Sequence, residues 1–523
     1  MVYRGKPSGG CDTCRARKVK CDETRPFCSR CAKAQRTCSG YRDQLSLWFK
    51  DESDATVHKL RALHKPSSED LTPQRAVVAV RHAVAQAYYH QHPVSSVPVL
   101  NFALDHIFQA TCLFLKSYPW LNVSCLVEQA QTRTLSIGQK AMMTGIASVG
   151  LANLANLHKS QSFQLTSRRE YTTALQLTNA ALHDVAAVKE DTTLTAVACL
   201  SLYEIICCDK EDSLLSWYDH ARGVAALLEL RGEEQLHHET GQQMFQVLRN
   251  EVLIGCLQKR TRMPPALIRK PHRSDCTAQS YCADRLIEIA AGLCELQAQM
   301  SEGMVSDSAE ILAVAMRLDF DLEEFTRELA AEMPYILRLR NNPQSPRETL
   351  MNAVNHYNGY YHVYQSMWMC NTWNNYRYIR ILVNSLILAQ LQPLAFQSEQ
   401  GSNPDGIRGR CCYVRALLRQ LAADICCAVP YKFGFAGEAG TQIREPLVTK
   451  AGTGFTLLLP LYLASVVDGV SGPVHAWAMK CLDIIGHEMG IQTAVSLMSV
   501  LERVQGMTWW VDLLEGEAKT DTT

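Results

Sequence analysis

Residues 11–38 read CDTCRARKVKCDETRPFCSRCAKAQRTC and hold six cysteines in two equal bursts. The spacing is Cys11-x2-Cys14-x6-Cys21, then Cys28-x2-Cys31-x6-Cys38, and moving the first triplet on by 17 residues lays it on the second. A stretch this short cannot fold on apolar burial, so metal binding is expected to organise it. A C-x2-C pair lets two thiolates grip one ion from a tight turn. The third cysteine leaves room for one short helix between ligands. Three thiolates do not complete a tetrahedral site, but six can serve two ions when two sulfurs are shared. Cys11 and Cys28 occupy equivalent positions and are the natural bridges. Thiolate softness and tetrahedral demand favour two Zn2+. The competing readings are a disulfide knot, which needs an oxidising compartment, and an iron–sulfur site, which uses other spacings.

The two halves differ in charge. Arg15, Arg17, Lys18 and Lys20 lie between Cys14 and Cys21, whereas the second half has only Lys33 and Arg36 there. Net charge over the whole chain is zero, yet residues 1–50 hold 12 Lys/Arg against 4 Asp/Glu, leaving a cationic head on an anionic body. Such a head suits a polyanion. Cations on one metal-fixed helix can donate to guanine O6 and N7 in a major groove, and others can hold phosphate. A solvated basic face or an import signal is the plainer reading of the same residues.

These residues resemble the fungal binuclear zinc cluster of the Zn(II)2Cys6 transcription factors. The likeness rests on the six cysteines, the run RARKVKCD and Pro26 in the linking loop. It implies that Arg17 and Lys18 read a CGG triplet, that Arg15 and Lys20 hold phosphate, and that Pro26 sets the geometry between halves. It also implies a nuclear protein whose partner is double-stranded DNA. Members commonly add a coiled coil after the cluster. Here Val57, Leu60 and Leu63 make one short stripe, and residues 65–74 (KPSSEDLTPQ) break it. Sustained heptads are absent. A homodimer, if formed, is therefore expected through the large body. Residues 41–53 (YRDQLSLWFKDES) are short and amphipathic.

The expected organisation is a zinc-cluster domain over 8–41, a linker over 42–75, a large all-α regulatory domain over 76–515 and a tail over 516–523. The body shows helical periodicity over residues 137–158, 166–185, 193–207, 215–230, 242–257 and 361–391, with few strand signals. WYDHARGVAALLEL (217–230) and the stretch after it resemble the middle of the fungal-specific regulatory domain. GTGFTLLLPLYLASVV and IIGHEMGIQTA resemble its C-terminal part. That resemblance implies control by a metabolite effector, by coregulators or by masking of the head.

Several function classes find no support. No phosphate loop, dinucleotide fingerprint, nucleophile elbow or zinc-protease helix is present, so an enzyme is not expected. His220, His237 and His238 read as structural or surface residues, and Lys259–Arg262 with Arg269, Lys270 and Arg273 as a solvated basic group. The apolar run 455–467 is short and contains Pro460, so no membrane partner is expected. Without a signal-like leader, the other 15 of the 21 cysteines read as reduced core residues. The tail MTWWVDLLEGE (507–517) mixes aromatics and acids, suiting either a last packed helix or a coactivator contact. The alternative to a sequence-specific regulator is a metabolite-binding or protein-docking helical scaffold whose head binds DNA weakly and without sequence preference.

Overall fold

The computed structural model describes residues 11–22, 24, 28–36, 38, 106–121, 123, 126–127, 135–207, 216–268, 278–339, 354–397, 404–435, 450–467 and 469–503. Pro26, the amphipathic segment 41–53, the stripe of Val57, Leu60 and Leu63, Arg269, Lys270, Arg273 and the tail 504–523 lie outside the described residues.

The head contains two five-residue helices, α1 (Asp12–Ala16) and α2 (Ser29–Lys33), one per cysteine triplet. The body is built from helices. An antiparallel pair forms its first layer: α4 (Ile137–His158) and α5 (Gln161–His183), with α3 (His106–Ser117) across α4. Ser136 and Gln139 cap the start of α4 reciprocally, satisfying amides that the first turn leaves unpaired. Lys159 takes the left-handed conformation (φ 48°) at its end, and Ser160 caps α5. Gly150 lets α3 cross closely: a Cβ there would lie 2.1 Å from the Ala110 carbonyl oxygen.

Next come α6 (Asp191–Cys207), α7 (Ser216–Arg231), α8 (Glu239–Lys259), α9 (Ala278–Ser301) and α10 (Ser308–Glu332). A small antiparallel hairpin follows, β1 (Ile336–Leu339) with β2 (Tyr360–Val363), in register Ile336 to Val363. The remaining helices are α11 (Met367–Gln397), α12 (Pro404–Lys432), α13 (Ala451–Phe455), α14 (Leu458–Val466), α15 (Pro473–His487) and α16 (Gln492–Arg503). The helical body is thus the all-α domain the sequence implies. Residues 361–363 differ: they pair as strand, because Tyr360–Val363 is an aromatic and β-branched run set against Ile336–Leu339.

Six helices close a ring, α6 against α8, α8 against α9, α9 against α11, α11 against α14, α14 against α16, and α16 back on α6. Within it α11 is the longest helix. Its stretch Met367–Ala395 is long and apolar enough to cross a membrane, a segment the sequence analysis did not single out for its length. Just over half of its most apolar window is buried in the fold. It also carries Arg377 and Arg380, both buried, so it serves as a core helix. Arg380 Nε donates to Asp319 Oδ1 on α10 at 2.8 Å, and Asn384 Nδ2 donates to the same oxygen at 2.6 Å. Arg377 donates to the Tyr364 hydroxyl at 2.8 Å and lies over the rings of Tyr335 and Trp373. Beside it His362 is held down to about 2 by burial and by the Arg377 charge, so it stays neutral.

The body cysteines Cys199, Cys256, Cys282, Cys294, Cys370, Cys411, Cys426, Cys427 and Cys481 are buried, while Cys112 and Cys412 are exposed. None of the described cysteines is in a disulfide.

Candidate metal centre and nucleic-acid interface

The 17-residue offset in the sequence reappears as geometry. Cys14 N–H points at Cys11 Sγ (3.4 Å), and Cys31 N–H points at Cys28 Sγ (3.2 Å). Each C-x2-C pair thus folds as a turn whose first sulfur receives the amide of its second cysteine. Each short helix then ends the same way. Lys18 (φ 52°) and Gln35 (φ 50°) are left-handed, Val19 N–H returns to Cys14 O at 3.1 Å, and Arg36 N–H returns to Cys31 O at 3.0 Å. This six-to-one closure satisfies a helix-end carbonyl that would otherwise be orphaned.

The two halves meet through their sulfurs. Cys11 and Cys28 Sγ are 3.6 Å apart, Cys14 and Cys28 3.7 Å, and Cys11 and Cys31 3.8 Å. Two groups of four thiols result: Cys11, Cys14, Cys21 and Cys28, then Cys11, Cys28, Cys31 and Cys38. Within each group all Sγ atoms lie within 4.8 Å of one another, and Cys11 and Cys28 belong to both. Tetrahedral zinc with ~2.3 Å bonds to sulfur needs sulfurs ~3.8 Å apart, so the donor set fits. Cys11, Cys14, Cys28 and Cys31 are buried. Burial pushes the Cys11 thiol up to about 12 and raises Cys14 and Cys28 as well, so without metal these thiols keep their protons at neutral pH.

Arg17, Lys18 and Lys20 are exposed around the end of α1. Arg15 lies within α1, and its side chain is outside the described set. The sequence reading placed Arg17 and Lys18 on the helix itself. In the structure α1 stops at Ala16, and both residues form the turn that follows, because the left-handed step at Lys18 ends the helix. Their positional equivalents in the second half, one offset on, are Ala34 and Gln35, and Arg15 corresponds to Ala32. The same backbone therefore places its cations differently in the two halves: at Arg15, Arg17, Lys18 and Lys20 in the first, and at Lys33 and Arg36, in place of Ala16 and Val19, in the second.

Two contacts carried no sequence signal. Arg30 Nη1 donates to Lys20 O at 2.9 Å and ties α2 to the chain leaving α1. Ser29 N–H donates to Thr24 Oγ1 at 3.0 Å, holding the start of α2 to the linking loop. In the body, the basic group at the end of α8 is partly neutralised: Arg262 pairs with Glu295 at 3.0 Å and Glu302 at 2.5 Å. His237 and His238 are exposed, as surface residues should be.

Residues 9–47 match the fungal Zn(2)-Cys(6) binuclear cluster domain, and residues 99–260 match the fungal specific transcription factor domain. The chain carries both domains, one over the cysteine head and one over the first part of the helical body. The binuclear cluster domain is one that binds two zinc ions, and the second domain is described as one of fungal transcription factors. Curated relatives are alike over the head. The transcriptional regulatory protein moc3 of Schizosaccharomyces pombe is 62% identical over 32 residues, 6% of each chain. The aspercryptin biosynthesis cluster-specific transcription regulator atnN of Emericella nidulans is 55% identical over 38 residues, 7% of this chain and 6% of the relative. The arginine metabolism regulation protein II of Saccharomyces cerevisiae is 51% identical over 47 residues, 9% of this chain and 5% of the relative. The matched stretches thus span about one-twentieth of these relatives' length. No solved structure matches the chain.

Proposed function

We propose that this protein is a nuclear, zinc-dependent, sequence-specific DNA-binding regulator of transcription. Cys11, Cys14, Cys21, Cys28, Cys31 and Cys38 hold two Zn2+, with Cys11 and Cys28 bridging. Arg17 and Lys18 read a CGG-type half-site in the major groove, and Arg15 and Lys20 hold phosphate. Pro26 shapes the linking loop. The helical body regulates, through an effector, a coregulator or self-association. By analogy with the aspercryptin relative, the controlled genes form a metabolic or secondary-metabolite cluster.

One observation carries this reading. Two halves with matching backbone geometry place different residues just past their helices, Arg17 and Lys18 against Ala34 and Gln35, and the first half holds four cations between its second and third cysteines against two, Lys33 and Arg36, in the second. Folding does not require the difference, since both turns close alike. A groove-facing role for the first turn accounts for it. Lys18→Ala and Gln35→Ala, each measured for zinc content and for binding to CGG and base-substituted duplexes, test the assignment. Lys18→Ala should keep two zinc ions and lose about 1–3 kcal/mol of discrimination. Gln35→Ala should change neither. Equal effects of the two substitutions on base choice would overturn the assignment. Salt-dependent binding with no sequence preference in the unaltered protein would favour the scaffold reading instead.

A further inference from the structure

The six-helix ring of the body surrounds a cavity of about 1010 Å³. Protein interiors leave few spaces larger than a water molecule, and ligand sites run to roughly 300–1,000 Å³. The space is therefore of ligand size, at the upper end. Charges of both signs line it, and each is engaged within the protein. Tyr171 donates to Glu204 at 2.6 Å, Ser201 donates to Glu251, and Gln243 Nε2 donates to Glu239 at 3.1 Å. Lys116 and Lys450 hold contacts of their own. A ligand of either sign would meet like charges as well as opposite ones, a penalty that a neutral ligand escapes.

The spare hydrogen-bonding capacity lies in neutral amides. Every Asn and Gln that lines the cavity stands on α8, α9 or α11, three helices in succession round the ring. On α11, Asn371 and Asn375 are one turn apart and share a face. Buried Lys432 donates from Nζ to Asn371 Oδ1 at 2.5 Å, which leaves the N–H donors of that amide. Asn375 makes no side-chain hydrogen bond among the described residues. On α8, Asn250 Nδ2 donates to Gln246 O at 3.0 Å, which leaves its side-chain carbonyl. The next two helices of the ring, α14 and α16, line the cavity with hydrocarbon instead: Leu458, Leu459, Leu497 and Val500. The lining thus has an amide arc and a hydrocarbon arc.

We propose that this cavity binds an uncharged, amide-bearing molecule of short-peptide size, its amides on Asn250, Asn371 and Asn375 and its hydrocarbon against α14 and α16. A side-chain amide offers donors and an acceptor in one plane, and an amide in the ligand answers both kinds at once. An ester has no donor and answers only one. The proposal rests on the regulatory reading of the body and names the class of its effector. Its test reads binding directly, so that it fails or stands apart from the DNA assignment.

The experiment is equilibrium dialysis of the zinc-loaded full chain against three probes: acetyl-trileucine amide, free trileucine, and the blocked analogue with esters in place of its peptide bonds. The expected result is retention of the blocked peptide, with the free and ester forms each held at least tenfold more weakly. Asn375→Leu keeps a similar size and removes one amide. It should weaken the blocked peptide about tenfold and narrow its lead over the ester form. Val247, which also lines the cavity, tests the space itself: Val247→Trp should abolish retention while the helical signal stays. Equal retention of the amide and ester forms, tighter retention of free trileucine, or no retention by the folded protein would overturn the proposal. DNA selection run in parallel reports on the head alone.

Discussion

Lys18 holds a left-handed backbone (φ 52°) that a glycine adopts more easily by about 1 kcal/mol. Gln35 carries the same strain at the equivalent position. Lys18→Gly should therefore raise the head's resistance to unfolding by about 1 kcal/mol while removing base choice, whereas Gln35→Gly should add similar stability and leave DNA binding alone. Denaturant midpoints of the zinc-loaded protein, with duplex affinities beside them, check both. Stabilisation by Gln35→Gly accompanied by lost affinity would point to the wrong half. In the body, Lys432 offers a titration test. Its folded value is lowered to about 8 from 10.5, so between these values the unfolded chain binds the extra proton. Stability contributed at this site is then smallest below pH 8 and rises toward pH 10.5, by on the order of 3 kcal/mol. Lys432→Met should remove that rise. The difference between wild-type and variant urea midpoints at pH 7.5 and pH 10 measures it.

At the scale of elements, close crossings and buried ion pairs set the sensitive points. A Cβ at Gly150 would meet the Ala110 carbonyl at 2.1 Å, and backbone cannot swing aside as a side chain can. Gly150→Ala should cost about 3 kcal/mol in thermal or chemical unfolding. Asp319→Ala would leave Arg380, 6% exposed, with the Tyr376 hydroxyl and with Glu323 at 3.8 Å, and should cost about 3 kcal/mol by the same assay. The helices themselves were legible because their apolar spacing is strong. The helix Ile137–His158 begins and ends as its periodicity indicates, bounded by a capping serine and a left-handed lysine. Others start earlier, at Gln161 and Glu239, and the polar first turn at Glu239 carries no apolar signal. Tyr361–Val363 pairs as strand because its partner lies at Ile336–Leu339, a pairing that helical spacing cannot reveal. The end of α1 at Ala16 was hidden for a related reason: a lysine, not a glycine, takes the left-handed step. The thiol groups were legible because an offset of 17 residues with matched spacing constrains ligand geometry directly. The ring of six helices was not, since its members lie far apart in the chain.

At the scale of the molecule, a cationic head and an anionic helical body divide the work. Zinc organises the first and apolar burial the second. Chelation should therefore abolish DNA binding while most of the helical signal survives, and circular dichroism with a duplex-binding assay on one sample reads both. Because burial raises the Cys11, Cys14 and Cys28 thiols, zinc must expel protons, and its affinity should fall as pH falls. Lys20→Ala should weaken all duplexes alike and lessen the salt slope by about 1, as loss of a phosphate contact does. The most direct test of the account is selection of bound duplexes from a random pool by the zinc-loaded full chain near physiological salt. Enrichment of a CGG triplet, lost in Lys18→Ala at unchanged zinc content, is the expected result. A pool without any enriched triplet, recovered with protein that holds both zinc ions, would contradict it.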